Sequence, residues 1–146
     1  MLKGIPKIIS PELLKVLSEM GHGDRIVIAD GNFPAEPIGK DTVIIRADGH
    51  GIPELLDAIL TVFPLDTYTE KPAVIMKLMD RDVGRVETPI WEEYKKIIAK
   101  HDERGAEALV NIDRYEFYGE VKKCYAVIAT TESAIYANIM LQKGIV

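Results

Sequence analysis

Short runs of Ile, Val, Leu and Ala recur along this chain, separated by helix signals or polar connections, and that alternation most restricts its fold. The runs Arg25–Ala29, Thr42–Arg46, Ala73–Met79, Ala108–Ile112 and Cys124–Ala129 have strand length and read as buried strands. Ser10-Pro11-Glu12 is a helix start. Ser10 can cap, Pro11 suits the first helical position, and Glu12 favours the positive end of the dipole. Leu13, Leu14, Val16, Leu17 and Met20 supply its apolar face, and Gly21 its stop. Pro53 opens a second helix, with Leu55, Leu56, Ile59, Leu60 and Phe63 at helical spacing and Pro64 at its end. Thr88-Pro89 opens a third by the same cap logic, with Ile90, Tyr94, Ile97 and Ile98 as its buried stripe. Asp113-x-x-Glu116 resembles a capping box with Asp in place of Ser or Thr, predicting a short helix from Arg114 to about Lys122.

Gly31 to Pro37 is too rich in proline for a helix and reads as a loop. Arg81 to Glu87 reads as a polar connection. The tail from Thr130 has two readings. Thr131 caps a helix that Gly144 ends, or Tyr136–Leu141 forms a final strand; a helical turn and then a strand is favoured. Strands alternating with helices predict one α/β domain over residues 1–146. The expected architecture is a three-layer α/β/α arrangement on a mixed, mainly parallel sheet of about five or six strands.

The chain has 146 residues, 47% of them hydrophobic and 28% charged, enough for a real core. The formal net charge is -5, and Lys and Arg are scattered, which speaks against nucleic acid as a partner. No apolar run approaches the ~18 residues of a spanning helix, so no membrane partner is expected. Lys3, Pro6, Lys7, Pro11, Glu12 and Lys15 interrupt the first twenty residues, against a signal peptide. The lone Cys124 cannot pair within the chain, which fits a reducing, cytoplasmic setting.

Chemistry concentrates between Met20 and Pro34. Gly21 and Gly23 bracket His22, giving its backbone unusual freedom. The predicted strand Arg25–Ala29 follows, and Asp30 stands at its carboxyl end, which in open α/β sheets faces the ligand crevice. If the His22 turn folds back, His22 and Asp30 meet there. His22 is the first candidate for acid–base work, because it titrates nearest neutral pH; the other reading is a capping histidine in a tight turn. Asp30 likewise reads as a ligand or as a simple turn residue.

His50, between glycines, reads as a loop residue, and His101 as a solvated helix end. The three histidines are too dispersed for a metal-ligand pattern, and Cys124 reads as core. No Gly-x-Ser-x-Gly elbow supports a serine nucleophile. Gly21-x-Gly23 precedes its strand, the wrong order for a dinucleotide fingerprint. Arg46 and Asp48, flanking Ala47 at the end of the second strand, read as ligand binders or as holding one loop to another, with the structural role favoured. Arg114 opposes the dipole of the helix it opens, so something other than helix stability selects it. Tyr136 and Asn138, if extended, share a face and offer a hydroxyl and an amide to a polyol. Trp91, Tyr94, Phe117 and Tyr118 exceed the aromatic surface one small domain needs, and predict a homo-oligomer.

Several of these motifs together resemble the L-fucose mutarotase and D-ribose pyranase superfamily, closer to its fucose branch. They are I-S-P-E-L-L-K-V-L at Ile9–Leu17, E-M-G-H-G-D at Glu19–Asp24, Asp30, F-P-A at Phe33–Ala35 and I-R-A-D-G at Ile45–Gly49. Near the end stand Arg114, F-Y at Phe117–Tyr118, Y-A-N-I at Tyr136–Ile139 and K-G at Lys143–Gly144. The resemblance implies that His22 is the proton donor and that Asp30, Arg114, Tyr136, Ala137 and Asn138 bind sugar. It implies an isomerase that interconverts the anomers of L-fucose by ring opening, with no metal and no other cofactor. It also implies a homo-oligomer, commonly a decamer of two stacked pentameric rings, with sites at subunit interfaces. Pyranose–furanose interconversion of D-ribose and non-catalytic sugar binding are the alternatives. The His50–Pro53 stretch and the long Arg81–Glu87 connection depart from the expected pattern and leave sugar preference open.

Overall fold

A computed structural model describes residues 1–146. In chain order the elements are α1 (Pro11–Glu19), β1 (Arg25–Ala29), α2 (Ala35–Ile38), β2 (Val43–Ala47), α3 (Ile52–Val62) and β3 (Ala73–Met76). Then come α4 (Pro89–His101), β4 (Leu109–Ile112), α5 (Arg114–Val121), β5 (Ala126–Thr130) and β6 (Ile139–Gln142). The six strands form one sheet in the order β2-β5-β1-β6-β3-β4. β1, β2 and β5 run parallel, as do β3 and β4, while β6 lies antiparallel between β1 and β3. The expected three-layer architecture is therefore present. Its tail is a turn followed by a strand, and that strand fills the centre of the sheet.

The pleat explains the layers. Along β1, Ile26 and Ile28 face the larger core, shared with α1, α3 and α4. Val27 and Ala29 face a smaller core with Phe33, Phe117, Val121 and Cys124. Successive strand side chains point to opposite faces, so a strand covered on both sides reads as a continuous apolar run. Burial pushes the Cys124 thiol up to about 12, which suits its predicted core position.

Local signals worked unevenly. Ser10 Oγ accepts from the Leu13 N–H at 3.1 Å, as its cap role requires. Thr88 makes no such bond although α4 starts beside it, so the Pro89 half of that signal acted alone. Asp113 accepts from the Tyr115 N–H at 3.1 Å. The loop expected over Gly31–Pro37 instead holds the single turn α2. Pro37 is tolerated there because the first N–H groups of a helix lack internal partners anyway.

His101 is exposed at the end of α4, as expected, and its Nε2 also lies 2.7 Å from Asp57 Oδ1 on α3. One surface expectation is corrected. Tyr94 and Phe117 are wholly buried inside the protomer, so they do not argue for an oligomer. Arg46 and Asp48 do pair, at 2.5 Å. Gly144 packs so closely that a Cβ there would lie 2.6 Å from the Leu65 carbonyl oxygen.

Candidate active site

The parallel strands β1, β3 and β4 point their carboxyl ends at the same edge of the sheet. Chain leaving β1 continues to β2 on one side, and chain leaving β3 continues to β4 on the other. Such a reversal of winding opens a crevice at the strand ends. Here it forms a cavity of about 360 Å³, lined among others by Asp30, Arg81, Asp82, Arg114, Tyr136 and Asn138. That lies near the lower end of the ~300–1,000 Å³ typical of small-ligand pockets.

Asp30 ends β1 and is only 6% exposed. Its Oδ1 accepts from the Asn32 N–H at 3.0 Å and its Oδ2 from Asn138 Nδ2 at 3.0 Å. The Asp30 N–H returns a bond to Asn138 Oδ1 at 2.8 Å. Burial raises the Asp30 pKa above the ordinary carboxylate value, while the N–H groups of Asn32, Ala137 and Phe33 and the Asn138 amide partly offset it. The pair is rigid, and Asp30 is a carboxylate with little water around it.

Tyr136 is the only non-glycine residue with positive φ, at 57°. The extended strand expected from Tyr136 therefore begins only at Ile139, yet the Tyr136 and Asn138 side chains both line the cavity. Helix α4 holds the kink: Trp91 Nε1 donates to the Tyr136 carbonyl at 2.8 Å, and Tyr94 Oη to the Ala137 carbonyl at 2.5 Å. Burial pushes the Tyr94 pKa far up, so its hydroxyl remains a donor. Ala137 is fully buried and contributes backbone only.

Arg114 opens α5, where the dipole disfavours it, and its side chain lines the cavity. Its Nε donates to Tyr118 Oη at 3.0 Å, and Nη1 lies 3.2 Å from Met79 Sδ. Arg114→Lys should fold normally, since Lys keeps the charge, but it loses the planar fork. We expect ligand affinity to fall about tenfold, ~1.4 kcal/mol, by titration. Unchanged affinity would make Arg114 structural.

His22 is elsewhere. It sits at the opposite edge of the sheet, before β1, where Gly23 takes φ 87° and its N–H donates to the Lys143 carbonyl at 2.8 Å. At roughly 3.3 Å per residue, the strand from Arg25 to Asp30 spans about 16 Å. The turn does not fold back, so His22 and Asp30 do not meet within one protomer. His22 Nε2 instead lies 3.0 Å from Asp66 Oδ1, and its side chain is 43% exposed. Burial raises the Asp66 pKa, but the Tyr68 N–H, the Gln142 amide and His22 outweigh it and hold the net value below the ordinary one. An ionised carboxylate only accepts, so His22 Nε2 carries the hydrogen and Nδ1 is left free. Each of the three histidines rests on a carboxylate, His50 on Glu54 and His101 on Asp57.

Sequence reasoning missed Asn32, Arg81, Asp82, Val86 and Ile135, which also line the cavity. The available signal was the position of the Arg81–Glu87 connection: a polar loop leaving the carboxyl end of a strand stands at the ligand edge.

A crevice of this size, lined by carboxylates, guanidinium groups, amides and phenols beside apolar walls, defines an α/β protein suited to a small hydroxylated ligand. The chain matches the RbsD / FucU transport protein family over residues 3–146. It is 51% identical to the fucose mutarotase of Homo sapiens over 99% of this chain and 94% of that protein. The crystal structure of FucU from Bifidobacterium longum superposes with a TM-score of 0.96 at 62% identity, covering 99% of each chain. The fucose mutarotase of Streptococcus pneumoniae, solved in complex with L-fucose, superposes with a TM-score of 0.91 at 45% identity, again over 99% of each chain. The chain belongs to the RbsD / FucU family.

Proposed function

We propose that this chain is an isomerase, a mutarotase that interconverts the α and β anomers of L-fucose by acid–base ring opening and closure. The observation that carries the reading is the convergence of Asp30, Arg114, Tyr136 and Asn138 on one cavity, although Asp30 and Asn138 are 108 residues apart. Asp30 and Asn138 offer an acceptor and an amide to neighbouring sugar hydroxyls, and Arg114 offers donors. Phe33, Met76, Val86 and Ile135 supply an apolar wall, which suits the methyl group of a 6-deoxy sugar better than ribose, which has none. The human relative's activity, and the L-fucose held by the S. pneumoniae relative, support the same substrate.

Ring opening needs one proton removed from the anomeric hydroxyl and one delivered to the ring oxygen. Positioned acid–base groups contribute about 10²–10⁴-fold to such a step. His22 is the proton donor of this reading, working through Nδ1 while Asp66 holds Nε2. Because His22 lies across the sheet from the cavity, it must act on a neighbouring copy's site. Exposed apolar residues stand at both edges: Tyr68, Ile145 and Val146 near His22, and Tyr115 and Ile135 near the cavity. Joining these unlike edges is a head-to-tail contact, which closes into a ring when the rotation allows. The assembly of this reading is a decamer of two stacked pentameric rings, working in the cytoplasm. No helix is long and apolar enough to cross a membrane.

Saturation transfer between the anomeric protons of L-fucose, with D-ribose as comparison, tests the reading. Exchange of fucose should accelerate in proportion to protein, and that of ribose much less. Saturable fucose binding without faster exchange would leave a non-catalytic sugar-binding protein.

A further inference from the structure

We infer that Asp82 is a positioning residue of this reaction: by accepting the Tyr136 hydroxyl proton, it makes the Tyr136 oxygen an acceptor for the anomeric hydroxyl of the sugar. The inference rests on the mutarotase reading and deepens it.

Asp82 closes a short 3₁₀ turn, Asp80–Asp82, just beyond the end of β3. Its Oδ2 lies 2.5 Å from Tyr136 Oη, and its side chain is 22% exposed. The same phenolic oxygen accepts the Met79 N–H at 3.3 Å. A phenol has one hydrogen and two lone pairs. The hydrogen goes to Asp82 and one lone pair to Met79, so a single lone pair remains. Both side chains line the cavity, so that lone pair is available to a bound hydroxyl.

The ring of Tyr136 is fixed from both ends. Trp91 and Tyr94 hold its strained backbone, and the Asp82 turn holds its hydroxyl. A residue kept at positive φ persists only when its surroundings over-determine it, and such strain collects at functional sites. Burial and the bond to Asp82 both raise the Tyr136 pKa, so a free tyrosinate is not the base. A relay avoids that difficulty. As the anomeric proton passes to Tyr136 Oη, the phenol's own proton passes to Asp82 Oδ2. The electrons of the anomeric O–H bond form the aldehyde carbonyl. The bond from the anomeric carbon to the ring oxygen breaks, its electron pair stays on the ring oxygen, and that oxygen takes the proton held by the partner's His22. Closure on either face of the aldehyde reverses every transfer. In this relay Asp82 acts on the reaction through Tyr136.

The experiment measures fucose affinity and anomer exchange separately, at equal saturation, for the full chain. In Asp82→Asn affinity should stay within about threefold while exchange slows about tenfold or more, the range expected on losing an acid–base partner. Asp82→Glu, which keeps the charge, should recover part of the rate. Tyr136→Phe should lose as much as Asp82→Asn, and Asp82→Asn with Tyr136→Phe should lose no more than Tyr136→Phe alone, because one path is removed twice. Wild-type exchange in Asp82→Asn overturns the inference. So does an affinity loss that matches the rate loss, or losses that multiply in the double variant. Should Asp82→Asn not fold, Tyr136→Phe decides: a wild-type rate there overturns the relay. A wild-type protein that never accelerates exchange removes the mutarotase reading itself, and is told apart by needing no variant.

Discussion

His22→Gln is expected to slow anomer exchange about 10²-fold or more while fold and fucose affinity persist. The fold should persist because the His22 side chain is 43% exposed and only its Nε2 is engaged, with Asp66. A Gln amide can donate to the same carboxylate, but it cannot carry a proton near neutral pH. Affinity should persist because the substitution leaves the proposed sugar-holding groups Asp30, Arg114, Tyr136 and Asn138 in place. Exchange at the wild-type rate would remove His22 from the mechanism, and failure to fold would restore the capping role. The arrangement also makes a second expectation available. Reassembled mixtures of His22→Gln and Asp30→Ala should exchange anomers although neither variant does alone, since some interfaces then pair an intact His22 with an intact cavity. No recovery in a mixed oligomer would confine the reaction to one protomer.

Phe117→Ala should cost about 3–5 kcal/mol, the range for truncating a fully buried aromatic. Against a total of roughly 5–15 kcal/mol, that threatens the fold itself. Phe117 is 0% exposed in the smaller core, on the buried face of α5, the helix that also carries Arg114 and Tyr118. The melting temperature should fall by about 10 °C or more. Fucose affinity should fall as well, because Arg114 loses the packing that aims it. Light scattering with circular dichroism separates the two readings of this residue: a surface aromatic would change the mass and leave the melting temperature alone.

Much of the fold was legible because its signals are local. Strand length, helical spacing and Ser10-Pro11 each act within a few residues, and β1 emerged with the boundaries its Ile-Val run suggested, whereas α1 stops at Glu19 with Met20 extended, before Gly21 could cap it. Misreadings arose where a distant neighbour decides. Nothing local says that α2 tolerates Pro37 or that Phe117 is enclosed by β1 and β5. The lining of the candidate cavity was partly legible. Asp30, Arg114, Tyr136, Ala137 and Asn138 were named from motifs, and four of their side chains reach one cavity while Ala137 supplies backbone. Asp82 and Arg81 were missed because a polar connection looks the same whether it faces solvent or a ligand.

The amino-acid sequence by itself determined the layers, the element order and the residue types available for chemistry, since these follow from periodicity and capping over short stretches. Only the tertiary structure decided which of those residues meet. β6 entered the sheet antiparallel between β1 and β3, and this placed Tyr136 and Asn138 beside Asp30. The straight run of β1 sent His22 to the far edge, against Asp66. The β1–β6 pairing joins segments more than a hundred residues apart, and no pattern within a few residues says which strands become neighbours.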